Sequence, residues 1–142
     1  ALHRAGLASQ PASVARDDGL RLIGCRMTAA VRCAPPANRP TPEERARCLP
    51  YLRREIDLCP GARVLLALGA VGWDAALRAL DAPRPRPRFG HGAEAPVSDG
   101  RWLLGSYHPS QQNTFTGRLT PAMLDEALAR AATLHATSTR PG

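Results

Sequence analysis

Two short apolar runs, Val64-Leu65-Leu66-Ala67-Leu68 and Trp102-Leu103-Leu104-Gly105-Ser106-Tyr107, constrain the fold more than any other feature of the chain. Both have strand length, and the first is continuous, lacks polar/apolar alternation and ends at Gly69. That pattern suits a strand covered on both faces. Between the runs, Ala70 to Leu80 places Trp73, Leu77 and Leu80 at helical spacing. Upstream, Thr41-Pro42-Glu43-Glu44 is a helix start with Thr at the N-cap, Pro in the first turn and Glu at the capping-box position. That helix carries Cys48, Leu52 and Ile56 on one stripe, is expected to bend at Pro50 and to stop near Pro60-Gly61. A last helix begins at Thr120-Pro121 with Leu124, Leu128 and Ala131.

The remainder fills in around this frame. Ala1 to Leu7 reads as an amphipathic helix, Ser9 to Gly19 as a loop, and Leu20 to Ile23 and Arg26 to Val31 as extended. Three prolines make 33–40 a stiff loop, and alternating Pro and Arg make 82–88 extended and exposed. Strands alternating with helices imply an α/β domain, a parallel sheet flanked by helices. The expected organisation is one domain over 1–142: helix and loop to 19, sheet, pocket loops and helices over 20–137, and a tail from 138. Opening on Ala1 inside an amphipathic stretch suggests a helix already under way, and thus a domain without its N-terminal part.

In such a sheet, ligands bind outside the carboxyl ends of the strands. Two loops there carry chemistry, one after Val31 and one after Tyr107. The second, Ser106 to Thr120, is almost wholly polar, with one imidazole (His108), one guanidinium (Arg118) and a run of hydroxyls and amides leading to a helix N-terminus. Such a cluster suits an anion or nucleic-acid backbone, although a solvated loop holding an incidental His has the same composition. Phe115, alone among these polar neighbours, fits a ring that stacks on a base or wedges into a duplex, and equally a loop anchor. His3 and His135 read as surface residues, and His91 as organising the pocket side of the fold.

Net charge supports the same direction without deciding it. The formal charge is +7, and every basic residue behind it is Arg. The excess favours a polyanionic partner, and the guanidinium fork suits phosphate. A GC-rich coding bias towards Arg, Ala and Pro would give the same count. Aromatics are only 4% of the chain, so the core is expected to be Ala, Leu and Val. No apolar run approaches the roughly 18 residues a membrane helix needs, and no signal-peptide pattern opens the chain, which points to a soluble intracellular protein. The four cysteines, Cys25, Cys33, Cys48 and Cys59, lack the paired C-x-x-C spacing of a zinc ribbon. Metal ligation and plain buried thiols both remain open, a small zinc-binding protein being the weaker form of the first.

Tyr107-His108-Pro109-Ser110-Gln111-Gln112-Asn113 with Thr116-Gly117-Arg118-Leu119-Thr120 resembles the C-terminal motif of the type-B (family 5) iron–sulfur branch of the uracil-DNA glycosylase superfamily. Thr28 to Asn38, then Pro40 to Glu44 and Cys48, is similar to that family's central segment. Ala67-Leu68-Gly69 and Arg88-Phe89-Gly90-His91-Gly92 match as well, so the resemblance covers nearly the whole chain. It implies a uracil-DNA glycosylase-like fold and a base-excision repair enzyme that flips uracil, or another deaminated base, out of DNA and hydrolyses the N-glycosidic bond.

Carried over by position, His108 is the donor that stabilises the departing base. Ser110, Gln112, Asn113 and Arg118 grip the DNA backbone or support the gap in the stack. Asn38 reads the pyrimidine edge with an amide that both donates and accepts; by itself it reads as well as a turn residue. Ala29 stands where the type-A branch has Asn, which implies a wider range of deaminated bases. Cys33 and Cys48 match two of the four thiolates of a [4Fe–4S] cluster, and Cys25 and Cys59 read as buried or half-buried thiols. The other two ligands and the family's first Gly-rich loop would lie upstream of Ala1. A monomer acting on DNA in a bacterial cytoplasm, at the nucleoid, completes the expectation. A non-catalytic DNA-binding remnant of the same fold is the alternative.

Overall fold

The structure is a computed structural model that describes residues 1–33 and 39–138. Its elements in chain order are α1 (Pro42–Asp57), β1 (Val64–Leu68), α2 (Ala70–Ala79), β2 (Glu94–Pro96), a 3₁₀ turn (Ser98–Gly100), β3 (Trp102–Ser106), α3 (Gln111–Phe115) and α4 (Pro121–Ser138). The strands lie in the order β1-β3-β2. β1 and β3 run parallel with Leu66 opposite Leu104, as the two apolar runs require. β2 joins the other side of β3 antiparallel, so the sheet is mixed where a purely parallel one was expected. This three-residue Glu-Ala-Pro strand carries no apolar run and gives no sequence signal.

Local chemistry sets the helix boundaries. Thr41 accepts the amide of Glu44 while the Glu44 carboxylate accepts the amide of Thr41, the reciprocal capping box. α1 continues through Pro50, whose missing N–H removes one rung of the ladder. At Gly69 the chain turns from β1 into α2 with φ 92°, a conformation costly for any residue with a Cβ.

The core forms where α2 packs on the sheet. Trp73, Ala76 and Leu77 meet Ala67 of β1, Ala95 of β2 and Leu103 of β3, with Phe89 and Val97 packed at the margin. Apart from Trp73 and Phe89 this is the Ala/Leu interior anticipated from composition. Gly105 lets the layers close. A Cβ there would clash with the Gly90 carbonyl oxygen and stand 3.3 Å from the Trp73 ring.

The N-terminal segment departs from its expected structure. Residues 1–7 form turns rather than a helix, with Gly6 at φ 74° and its amide bonded to the His3 carbonyl. The stretches read as extended at 20–23 and 26–31 contribute one isolated antiparallel bridge, Ala8 with Leu22. Among the described residues no helix is long and apolar enough to cross a membrane.

Candidate functional site

Because β1 and β3 are parallel, their carboxyl ends open on one side of the sheet, and three segments converge there. The amide of Gly69 donates to the Ser106 carbonyl at 2.7 Å, tying the end of β1 to the end of β3. The amide of Gly92 donates to the Gly105 carbonyl at 2.8 Å, which brings the 89–92 turn alongside. Ser106, fully buried, closes the floor, and the chain then emerges as Tyr107 and His108.

Tyr107 is held from several directions. Its ring stacks on His91 (centroids 5.2 Å, 30°) and meets Phe89 edge-on at 6.3 Å. Phe89 in turn meets Trp73 at 6.0 Å, and the Trp73 indole N–H donates to the Pro87 carbonyl at 3.0 Å. The Arg118 guanidinium lies 4.7 Å from the Tyr107 ring centroid, within cation–π range. Nδ1 of His91 accepts the Tyr107 amide at 3.3 Å, so a neutral His91 carries its proton on Nε2. An aromatic chain thus links the buried face of α2 to the base of the His108 loop. His91 thus packs against Tyr107 at the base of that loop.

His108 is exposed, but its backbone is fixed. Its carbonyl accepts the Ser110 amide at 2.8 Å and the Asn113 side-chain amide at 2.8 Å. Ser110 caps α3 by accepting the Asn113 amide at 3.3 Å. Gly69 faces the His108 side chain so closely that a Cβ on it would stand 3.2 Å from the His108 Cβ. The sequence marks Gly69 as the end of an apolar strand and as part of a match, but not as a neighbour of His108; the signal for that role is a glycine directly after an apolar strand, where the next parallel strand delivers its loop.

The segment expected to be an open polar loop contains the short helix α3. Of the four residues assigned together to DNA, Ser110 and Asn113 are spent on the His108 carbonyl and the α3 cap. Arg118 rests on Tyr107 and Gln112 is exposed to solvent.

Cys48 of α1 bonds to the residue that precedes Cys33. The amide of Arg32 donates to the Cys48 sulfur at 3.4 Å, which sets the residue before Cys33 against the helix. The Arg32 guanidinium pairs with Glu55 and lies 4.9 Å from the Tyr51 ring centroid. Arg26 reaches Glu55 at 3.5 Å. Bonding to the Thr28 hydroxyl, then the charges of Arg32 and Arg26, hold the Glu55 carboxylate below its ordinary range against the opposing effect of desolvation. Cys33 is exposed and Cys48 half-buried, and neither is in a disulfide. Two sulfurs, one receiving a backbone N–H, fit half of a four-thiolate set. Among the described residues no group of three or more His, Cys, Asp or Glu could hold a metal ion. Cys25 and Cys59 are half-buried thiols. Asn38 lies outside the described residues.

Residues 1–132 match the Uracil DNA glycosylase superfamily. The chain belongs to that superfamily. It is 56% identical over 128 residues to a type-5 uracil-DNA glycosylase of Mycobacterium bovis, covering 89% of this chain and 48% of that protein. It is 50% identical over 130 residues to the type-5 enzyme of Thermus thermophilus, covering 92% of the chain and 59% of the relative. A type-5 uracil-DNA glycosylase of Pyrobaculum aerophilum is 45% identical over 132 residues, with 93% and 57% covered. The chain therefore spans about half the length of the relatives it matches. In this superfamily member the two β-strand ends, the 89–92 turn and the 107–118 segment are bonded and packed to one another.

Proposed function

We propose that the chain supplies the base-release part of a uracil-DNA glycosylase site. The observation that carries this reading is the exposed His108 imidazole on a carbonyl anchored twice, beside a glycine that leaves it room. Breaking the C1′–N1 bond sends the bonding electron pair onto the pyrimidine, where charge collects on the carbonyl oxygens, and leaves a cationic sugar. An N–H of His108 aimed at the departing oxygen stabilises this state more than the intact nucleotide. Water then adds to C1′ and loses a proton, which completes hydrolysis. Ser110 and Asn113 act by holding the His108 backbone, while Tyr107, His91 and Phe89 make the wall on which it stands.

The substrate is uracil in DNA, and Ala29 in place of an amide extends the range to other deaminated bases. Asn38 reads the pyrimidine edge, and Gln112 and Arg118, with the Arg excess, meet the backbone of the DNA. Cys33 and Cys48 would hold two corners of a [4Fe–4S] cluster, which when bound supplies a structural cross-link between the 26–33 segment and α1. The protein works as a monomer in the bacterial cytoplasm.

The test is single-turnover release of uracil from an oligonucleotide, with protein in excess. Release by the wild type that falls at least about 10²-fold in His108→Ala is the expected result, the usual scale for losing one donor to a developing oxyanion. Release unchanged in His108→Ala would remove the catalytic role. Because the chain spans about half of its relatives, a second reading is a DNA-binding remnant. Salt-sensitive binding with no release by the wild type would favour it.

A further inference from the structure

The segment between α2 and the 89–92 turn places Arg84, Arg86 and Arg88 at alternate positions among Pro83, Pro85 and Pro87. Arg84 and Arg88 are exposed and Arg86 is half-buried. From Ala82 to Ala93 the chain has no acidic residue. The acids at its two ends are already taken, since Asp81 pairs with Arg53 of α1 and Glu94 with Arg130 of α4. Among the described residues none of the three arginines has an ion pair or a ring partner. Nε of Arg86 is shielded from solvent without a hydrogen-bond partner. Three like charges therefore stand together uncompensated, whereas Arg4, Arg26, Arg32 and Arg78 each reach a carboxylate.

The backbone that carries these charges is held at both ends. Ala82 is 6% exposed, and its amide donates to the Leu77 carbonyl at 2.9 Å near the C-terminal end of α2. The Pro87 carbonyl accepts the indole N–H of Trp73, close to the start of α2, at 3.0 Å. The segment thus runs back along α2 toward the end that follows Gly69, where the site opens. Arg88 leads directly into Phe89, whose ring meets Tyr107 at 6.3 Å. The three prolines fix φ and leave little backbone freedom to lose on binding. From Arg84 to Arg88 the chain spans at most about 14 Å, the axial rise of about four nucleotides at 3.4 Å each. A plain connection between helix and strand needs none of this. Adjacent like charges repel one another unless a polyanion lies across them.

We propose that Arg84, Arg86 and Arg88 form a strap that grips the phosphate backbone of DNA on one side of the extruded nucleotide. This rests on the reading of the His108 site as the place where that nucleotide is held. The strap adds affinity without reading sequence, because its guanidinium groups meet phosphates and no base edge. Lying beside the site, it lengthens the footprint in one direction only.

The experiment titrates the full chain with a labelled duplex carrying a stable abasic analogue, across about 50 to 200 mM salt. The wild type is compared with Arg84→Gln/Arg86→Gln/Arg88→Gln and with the same three changes to Lys. A control, Arg16→Gln/Arg45→Gln/Arg47→Gln, removes equal charge from exposed residues elsewhere. In the strap Gln variant the log–log salt slope should become shallower by about 2.7, three phosphates at about 0.9 each, with about tenfold weaker binding at low salt. The Lys variant should keep the wild-type slope, and the control should change it by less than about one. Shortening one flank of the duplex, and not the other, should weaken wild-type binding and leave the strap Gln variant as it is. Thermal melting checks the fold. If the triple variant melts early, Arg84→Gln/Arg88→Gln, confined to the exposed pair, should still change the slope by about 1.8. An unchanged slope in the strap variants, with a wild type that binds and releases uracil, would overturn the strap and leave the glycosylase reading standing. An equal change in the control would overturn it too, because net charge would then account for the binding. No binding of any DNA by the wild type would overturn both readings.

Discussion

The sheet with its flanking helices and the N-terminal 1–33 segment belong to one chain, yet they handle apolar side chains in opposite ways. In the sheet, Leu103 and Leu104 are essentially inaccessible and Trp73 is 3% exposed; in the segment, Ile23 is 52%, Met27 64% and Val14 87% exposed. The sheet satisfies its backbone through paired strands, the segment through turns and one isolated bridge. What orders the segment is chiefly polar. Asp18 accepts the amides of Val14 at 2.7 Å and Leu20 at 3.0 Å, and Arg26 and Arg32 reach Glu55 of α1. The sheet therefore holds the His108 loop through packing, while the Cys33 end of the segment is held on α1 by charge and hydrogen bonds.

This contrast is broken most sharply by truncating its strongest side. Trp73→Ala removes the ring under Gly105 and the indole bond to Pro87, and should cost about 3–5 kcal/mol, read from the urea midpoint at constant slope. The 1–33 segment should respond to acid instead. The amides of Leu20 and Val14 lower the Asp18 carboxyl to about 2, from 3.8. A depressed folded-state value means that its contribution is complete above about 4 and is lost as pH falls through about 2. Amide exchange at Val14 and Leu20 should accelerate across that window while sheet amides stay protected. A parallel loss in both regions would mean that the segment is not separately held. The smallest effect is expected for Ile23→Ser, within about 0.5 kcal/mol because the side chain is exposed. A larger destabilisation would show that the segment buries apolar surface after all.

The same division governs what could be read from sequence. β1, β3 and α2 were legible to within a residue or two because their apolar periods answer to burial, and α1 because Thr41 and Glu44 form a local cap. The opening helix was misread because a short amphipathic stretch has no cap or length to hold it helical, and Gly6 took a positive φ. β2 was invisible because three edge residues, one of them Pro, carry no pattern. In the site, His108 and its motif stood out, but the structure was needed to give Ser110 and Asn113 their bonds around His108. Those bonds depend on where the α3 turn folds back, which composition does not encode.

The most direct test of the account is whether His108 stabilises the departing base. Single-turnover release can be measured for wild type and His108→Ala on DNA carrying uracil or 5-fluorouracil, whose fluorine makes the departing anion more stable. A donor to that anion matters less when the anion is already stable. The account predicts a loss of about 10² or more on uracil and a clearly smaller loss on 5-fluorouracil. Equal losses on both would contradict it, since His108 would then be serving binding or folding rather than the leaving group.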